Sequence, residues 1–112
     1  MASIGEIWLT EFGNRFPGEP SFRRPALVVG PVAGFGSRFP FAVVLPITTA
    51  HRGLNLHVPL AVDPASGLDR DSYVQCELIR SVNRRRLIRQ LGTADPVALD
   101  KADRVVRDLL GH

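Results

Sequence analysis

Apolar positions along the chain fall into short blocks with strand spacing up to about residue 94, and the spacing turns helical only in the last 18 residues. Glu6 to Phe12 is short, rich in β-formers and stops at Gly13-Asn14, so it reads as a first strand. A loop from Gly13 to Arg23, punctuated by Pro17, Gly18 and Pro20, leads to the continuous apolar run Pro25 to Val29. That run is bounded by Gly30-Pro31, the pattern of a strand buried on both faces. Residues 30–40 carry three glycines and two prolines and cannot be helical over their length. Phe41 to Ile47 reads as the third strand, with Pro46 marking an edge, a bulge or a strand end.

Leu54, Leu56, Val58, Leu60 and Val62 recur at spacing two, which predicts a half-exposed fourth strand with Asn55 and a solvated His57 on its wet face. After turn chemistry at Asp63 to Gly67, Ser72 to Ile79 alternates again and predicts a fifth strand. Asn83 to Arg86 is either a short turn or a solvated helical step before Leu87-Ile88 and the break at Gly92. Asp95-Pro96 then opens a helix, with Asp95 as N-cap and Pro96 at the first helical position. Ala98, Leu99, Ala102, Val105, Val106, Leu109 and Leu110 form one apolar stripe, and Gly111 ends it. The expected architecture is mainly β (α+β), mostly antiparallel, with a C-terminal helix and one domain over residues 1–112.

Composition narrows the class. With 45% hydrophobic and 22% charged residues, the chain has enough apolar surface to offset its ordering entropy and fold. No apolar run approaches the roughly 20 residues that span a bilayer, and the start has no secretion-signal pattern, so a cytoplasmic protein without membrane contact is expected. Cys76 is the single cysteine, and with His51, His57 and His112 it supplies no zinc spacing; neither a disulfide, a metal site nor a cofactor is expected. Charge is uneven: residues 1–94 hold eleven arginines against seven carboxylates, whereas residues 95–112 are slightly acidic. Thirteen arginines to one lysine suit bidentate phosphate recognition, and a GC-rich coding bias would give the same ratio.

Several constellations are weak. The glycine-rich stretch Gly30 to Ser37 has no following lysine or helix start and reads as a plain loop. Cys76 or Ser72 paired with His57 would sit inside strand patterns, where cysteine is usually a small buried hydrophobe. Trp8 and Tyr73 read as core or dimer-face aromatics. Phe22-Arg23-Arg24-Pro25 is better placed: it joins a punctuated loop to a buried strand and gives Arg24 a fixed base, either for phosphate binding or for a surface ion pair with Glu19 or Asp71. Thr48, Thr49 and His51 follow the third strand, at a rigid strand end where function tends to sit.

In this order the pieces resemble the MazF/PemK family of toxin endoribonucleases. The resemblance is carried by Gly5-Glu6-Ile7-Trp8-Leu9, Arg24-Pro25-Ala26-Leu27-Val28-Val29, Leu45-Pro46-Ile47-Thr48-Thr49, Asp71-Ser72, Glu77-Leu78-Ile79-Arg80-Ser81-Val82 and Arg86-Leu87. It implies an SH3-like antiparallel β-barrel with a C-terminal helix, a homodimer, and metal-independent cleavage of single-stranded RNA at short sequences. It also implies a MazE-like antitoxin whose acidic tail occupies the RNA groove. The family's catalytic arginine falls on Arg24 and its threonine on Thr48. Its Gly-Ser-Glu-Gln loop falls on Pro17-Gly18-Glu19-Pro20, which keeps only the glutamate, and the glutamine and aspartate usual in the later motif are Leu78 and Asn83.

Cleavage without metal requires that the ribose 2′-OH attack phosphorus while a dianionic phosphorane is stabilised. A guanidinium stays protonated and binds two oxygens, so Arg24 suits stabilisation rather than proton abstraction. Thr48 is a neutral donor, and Glu19 or His51 the better base. Phe22 is a candidate for base stacking; Arg15, Arg23, Arg80 and Arg84, with Thr49, His51 and Glu77, complete the expected RNA-binding set. For Arg84 to Arg86 a solvated turn is the competing reading. Other classes sharing the fold are a CcdB-type gyrase-inhibiting toxin, which would need a terminal aromatic this chain lacks, and an inactive barrel that only binds a protein partner.

Overall fold

The computed structural model describes residues 2–13, 17–20, 22–35 and 38–112. Seven strands and one helix follow in the order β1 (Glu6–Glu11), β2 (Arg23–Gly30), β3 (Phe41–Thr48), β4 (His57–Leu60), β5 (Ser72–Gln75), β6 (Arg80–Asn83), β7 (Leu87–Thr93) and α1 (Pro96–Leu110). Every strand pairing is antiparallel. The ladder runs β4-β5-β3-β2-β1-β7, with β6 also on β3, and no hydrogen-bonded seam joins β4 to β7 among the described residues.

Strand β3 organises the sheet. One edge pairs with β2, while the other pairs first with β6, through Phe41 to Val44, and then with β5, through Ile47 and Thr48. Pro46, which has no N–H to donate, sits in the gap between those two ladders, so a proline is tolerated in a strand that is central in the sheet.

Strand alternation sorts the core into two clusters on opposite faces. Ile7, Leu27, Leu45, Ile47, Val58, Leu60, Val74 and Cys76 lie on the face that α1 covers with Ala98, Leu99, Ala102, Val105 and Val106. Phe12, Ala26, Val28, Ala42, Val44 and Val82 lie on the other, backed by Trp8 and Leu87. The helical stripe outruns the sheet, leaving Leu109 and Leu110 exposed. Gly111 ends the helix in the left-handed region, φ 79°, as its position suggested.

Three local expectations are corrected, and the turn expected at Asn83 to Arg86 is found with an unexpected strand after it. The fourth strand is only His57–Leu60, since Leu54 and Val62 are exposed and outside it. The fifth strand ends at Gln75, because a 3-10 turn at Cys76–Leu78 re-aims the chain into β6 (Arg80–Asn83), a further strand beyond the predicted range. Arg84–Arg86 forms a 3-10 turn closed by Asn83 Oδ1, which accepts from Arg85 N at 2.9 Å, and leads into β7, a strand the pattern did not predict. Asp95 stands at the N-cap, but its carboxylate caps no N–H; only its carbonyl accepts, from Leu99 N at 2.9 Å.

Candidate nucleic-acid interface

The start of β2 and the end of β3 lie side by side. Their register matches Ala26 with Pro46 and Leu27 with Leu45, and continuing it by one pleat brings Arg24 opposite Thr48. On the other side Arg24 is matched with Thr10 of β1. By alternation Arg24 and Thr48 project from the face of the Phe12–Val82 cluster, away from α1. Arg80 of β6, two residues before Val82, projects from the same face, and its guanidinium carbon lies 5.6 Å from the Phe12 ring centroid.

No ion pair joins Arg24 to Glu19 or Asp71 among the described residues. Thr48 is nearly buried, and its Oγ1 accepts from Ala50 N at 3.1 Å, which tightens the strand exit and leaves the hydroxyl proton available. Arg23 is matched with Glu11 across the ladder, with an exposed Nε–Oε1 contact of 3.4 Å that contributes little and yields easily to a phosphate. Phe22 is 59% exposed and holds φ 56°, a left-handed conformation uncommon for an aromatic residue. Its backbone closes the loop, with Phe12 N donating to Phe22 O and Phe22 N to Gly13 O, both at 2.7 Å.

Two clefts flank this row. The larger, about 370 Å³, is lined by Glu19, Pro20 and the segment 77–81, and so brings Glu19, Glu77 and Arg80 together. The second, about 230 Å³, is lined by His51, Gly53, Leu54, Asn55, His57, Pro59 and Tyr73. His57 is buried, not solvated as the alternation suggested, because its Nε2 meets Glu77 Oε2 at 2.8 Å. Tyr73 belongs to neither core cluster; the exposed His51 imidazole stacks on it, centroids 4.9 Å apart and planes 24° apart.

Of the remaining residues singled out above, Thr49 is exposed beside Thr48. Arg84 points elsewhere: its Nε donates to Phe39 O at 2.8 Å and its Nη1 to Ala2 O at 3.4 Å, anchoring the β2–β3 connection. Arg15 lies outside the described residues. Arg86, not singled out as an RNA contact, donates from Nη1 to Glu11 O at 3.2 Å at the base of the Gly13–Phe22 loop. Cys76 is fully buried, and burial, reinforced by the neighbouring Glu77 charge, pushes its thiol from 9.0 to about 11, so it is an inert hydrophobe.

An antiparallel sheet with one covering helix, and with Arg24, Thr48 and Arg80 on the face opposite that helix, defines a small β protein with a cationic, hydroxyl-bearing sheet face. Residues 3–110 match the family of PemK-like, MazF-like toxins of type II toxin-antitoxin systems, and the chain belongs to that family. It is 28% identical over 105 residues to endoribonuclease EndoA of Bacillus subtilis, covering 92% of this chain and 89% of that protein. Its fold superposes on MazF of Deinococcus radiodurans with a TM-score of 0.85 at 24% identity, over 99% of this chain and 97% of the other. A MazE–MazF complex from the same organism matches with a TM-score of 0.79 at 25% identity, over 98% and 96%.

Proposed function

We propose that this toxin is a sequence-specific endoribonuclease that cleaves single-stranded RNA without a metal ion, leaving a 2′,3′-cyclic phosphate and a 5′-OH. The observation that supports this reading is the pairing of Ala26 with Pro46, which, continued by one pleat, brings Arg24, without an ion pair among the described residues, opposite Thr48. The family membership and the likeness to EndoA support it.

In this mechanism Arg24 binds two phosphoryl oxygens and neutralises the charge that builds on the phosphorane. Thr48 donates its hydroxyl proton to a phosphoryl oxygen. Glu19, exposed on the cleft shared with Arg80, takes the proton of the 2′-OH as that oxygen bonds to phosphorus; the bond from phosphorus to the 5′-oxygen breaks, and that oxygen takes a proton from water. Arg23 and Arg80 follow the phosphates, and Phe22 and His51 present rings to the bases. Arg84 is left out of this set because backbone carbonyls occupy it.

The same face, with its arginines, suits a MazE-like antitoxin with an acidic C-terminal tail, and the reading includes a cytoplasmic homodimer. Among the described residues no helix is long and apolar enough to cross a membrane.

The test is incubation of the purified protein, freed of antitoxin, with long single-stranded RNA in excess EDTA beside Arg24→Ala and Thr48→Ala. Cleavage at a recurring short motif by the parent protein alone, with cyclic phosphate ends, supports the reading. Intact RNA with folded protein overturns it.

A further inference from the structure

The row that contains Arg24 and Thr48 does not stop at β3. Strand β5 pairs so that Tyr73 stands opposite Thr48, and β4 pairs so that Pro59 stands opposite Tyr73. Val74 lies in the core under α1, so Tyr73 projects to the same face as Thr48. At ladder spacing Tyr73 is two strands, about 10 Å, from Arg24. That offset is within reach of the base of a nucleotide next to a phosphate held by Arg24.

At this point the face carries an aromatic platform. His51 lies flat on Tyr73 with its outer side exposed, and the cleft around it, about 230 Å³, has room for a single base. Its lining holds no carboxylate that would repel RNA, and Asn55 supplies an amide with both donors and an acceptor. His57, whose side chain is only 2% exposed, lines the same cleft; its Nδ1 has no partner among the described residues, while Nε2 is held by Glu77.

We propose that this cleft is a nucleobase subsite for one unpaired base next to the cleaved phosphodiester. The base stacks on the outer face of His51, Tyr73 holds the imidazole plane from behind, and Asn55 reads the edge of the base. The inference rests on the endoribonuclease reading and deepens it. Stacking tolerates any base and supplies affinity, whereas the amide discriminates among base edges, so His51 and Asn55 together set a preference at one motif position. Tyr73 is a positioning residue in this scheme, since it acts through His51.

The test measures metal-free cleavage of short oligoribonucleotides that contain the preferred motif, intact or with one abasic residue at each successive position. The proteins compared are the parent, His51→Ala, Tyr73→Phe and Tyr73→Leu, each shown to be folded by circular dichroism. His51→Ala is expected to lower kcat/KM on the intact motif by about tenfold, through KM. An abasic residue at one position next to the cleaved bond abolishes the difference between parent and variant, and an abasic residue elsewhere does not. Tyr73→Phe keeps the parent profile because the ring remains; Tyr73→Leu follows His51→Ala. Equal losses for His51→Ala at every abasic position overturn the subsite and leave the nuclease reading standing. A fall in kcat with unchanged KM and an altered pH profile also overturns it, by putting His51 at the reacting atoms. Failure of the folded, antitoxin-free parent to bind or cleave RNA overturns both readings.

Discussion

The imidazole of His57 and the carboxylate of Glu77 meet at 2.8 Å and form the wall between the two clefts, Glu77 facing Glu19 and Arg80 and His57 facing His51 and Tyr73. The pair ties β4 to the 3-10 turn after β5. His57→Ala leaves both oxygens of a largely buried carboxylate without a partner among the described residues, since Glu77 Oε1 already has none there. A loss of about 2 kcal/mol is expected. It is read from the urea midpoint at unchanged m, and His57→Gln, which still donates, is expected to recover part of it.

Arg24 stands on a rigid strand end, so its replacement should change chemistry more than fold. Arg24→Ala is expected to lower kcat for RNA cleavage by about 100- to 1,000-fold with little change in melting temperature. Arg24→Lys keeps the charge but not the two-pronged geometry and is expected to remain closer to alanine than to the parent protein. Single-turnover cleavage of one defined oligonucleotide decides this; an Arg24→Lys rate within threefold of the parent contradicts the bidentate role.

Phe22 combines φ 56° with an exposed ring. Phe22→Gly relieves the left-handed strain, and stability is expected to stay level or rise by up to about 1 kcal/mol even though a large side chain is lost. RNA affinity is expected to fall by tenfold or more in the same variant, because the stacking ring is gone. Calorimetry and RNA titration on one preparation separate the two effects.

Gly67 and Gly92 hold the turn at 63–67 against β7. A Cβ at Gly67, φ 72°, would lie 2.0 Å from Leu91 O, and one at Gly92 would lie 2.2 Å from Ala65 O. Backbone atoms on both sides cannot step aside as a flexible side chain can. Gly67→Ala and Gly92→Ala are each expected to cost about 3 kcal/mol or more, seen as a steep drop in melting temperature or in soluble yield.

Cys76 gives stability a pH dependence at the alkaline end. Its thiol is raised to about 11 in the folded state by burial and then by the Glu77 charge, against 9.0 when unfolded. Below about pH 9 both states keep the proton and stability is level; from there towards pH 11 the unfolded state loses it first, and stability falls. Urea midpoints between pH 8 and 11 should show a slope that Cys76→Ala reduces, and the native thiol should resist a disulfide reagent at pH 8 until urea unfolds the protein.

Much of this fold is legible locally. The buried runs Pro25 to Val29 and Phe41 to Ile47 became adjacent strands, and Pro96 and Gly111 bound the helix, because a proline without an N–H and a glycine free to adopt positive φ act on their own neighbours. β7 was not legible: its sequence Leu87 to Thr93 is mixed and mostly exposed, and it becomes a strand by pairing with β1 more than 75 residues earlier.

The sequence by itself determined the antiparallel β class, the terminal helix, and Arg24 and Thr48 as the residues to examine, since each depends on residue type and short-range spacing. Only the tertiary structure decided where they sit relative to one another. The β2–β3 register, continued by one pleat, brings Arg24 opposite Thr48, and the β3–β5 register pairs Thr48 with Tyr73, a relation between strands that no local pattern contains. The same holds for His57, buried by a carboxylate 20 residues away, and for Arg84, held by carbonyls 45 and 82 residues away. Alternation along a strand states which side chains share a face, but the partner that arrives over that face, and so whether a polar group there is wet, paired or free for a ligand, comes from chain segments distant in sequence.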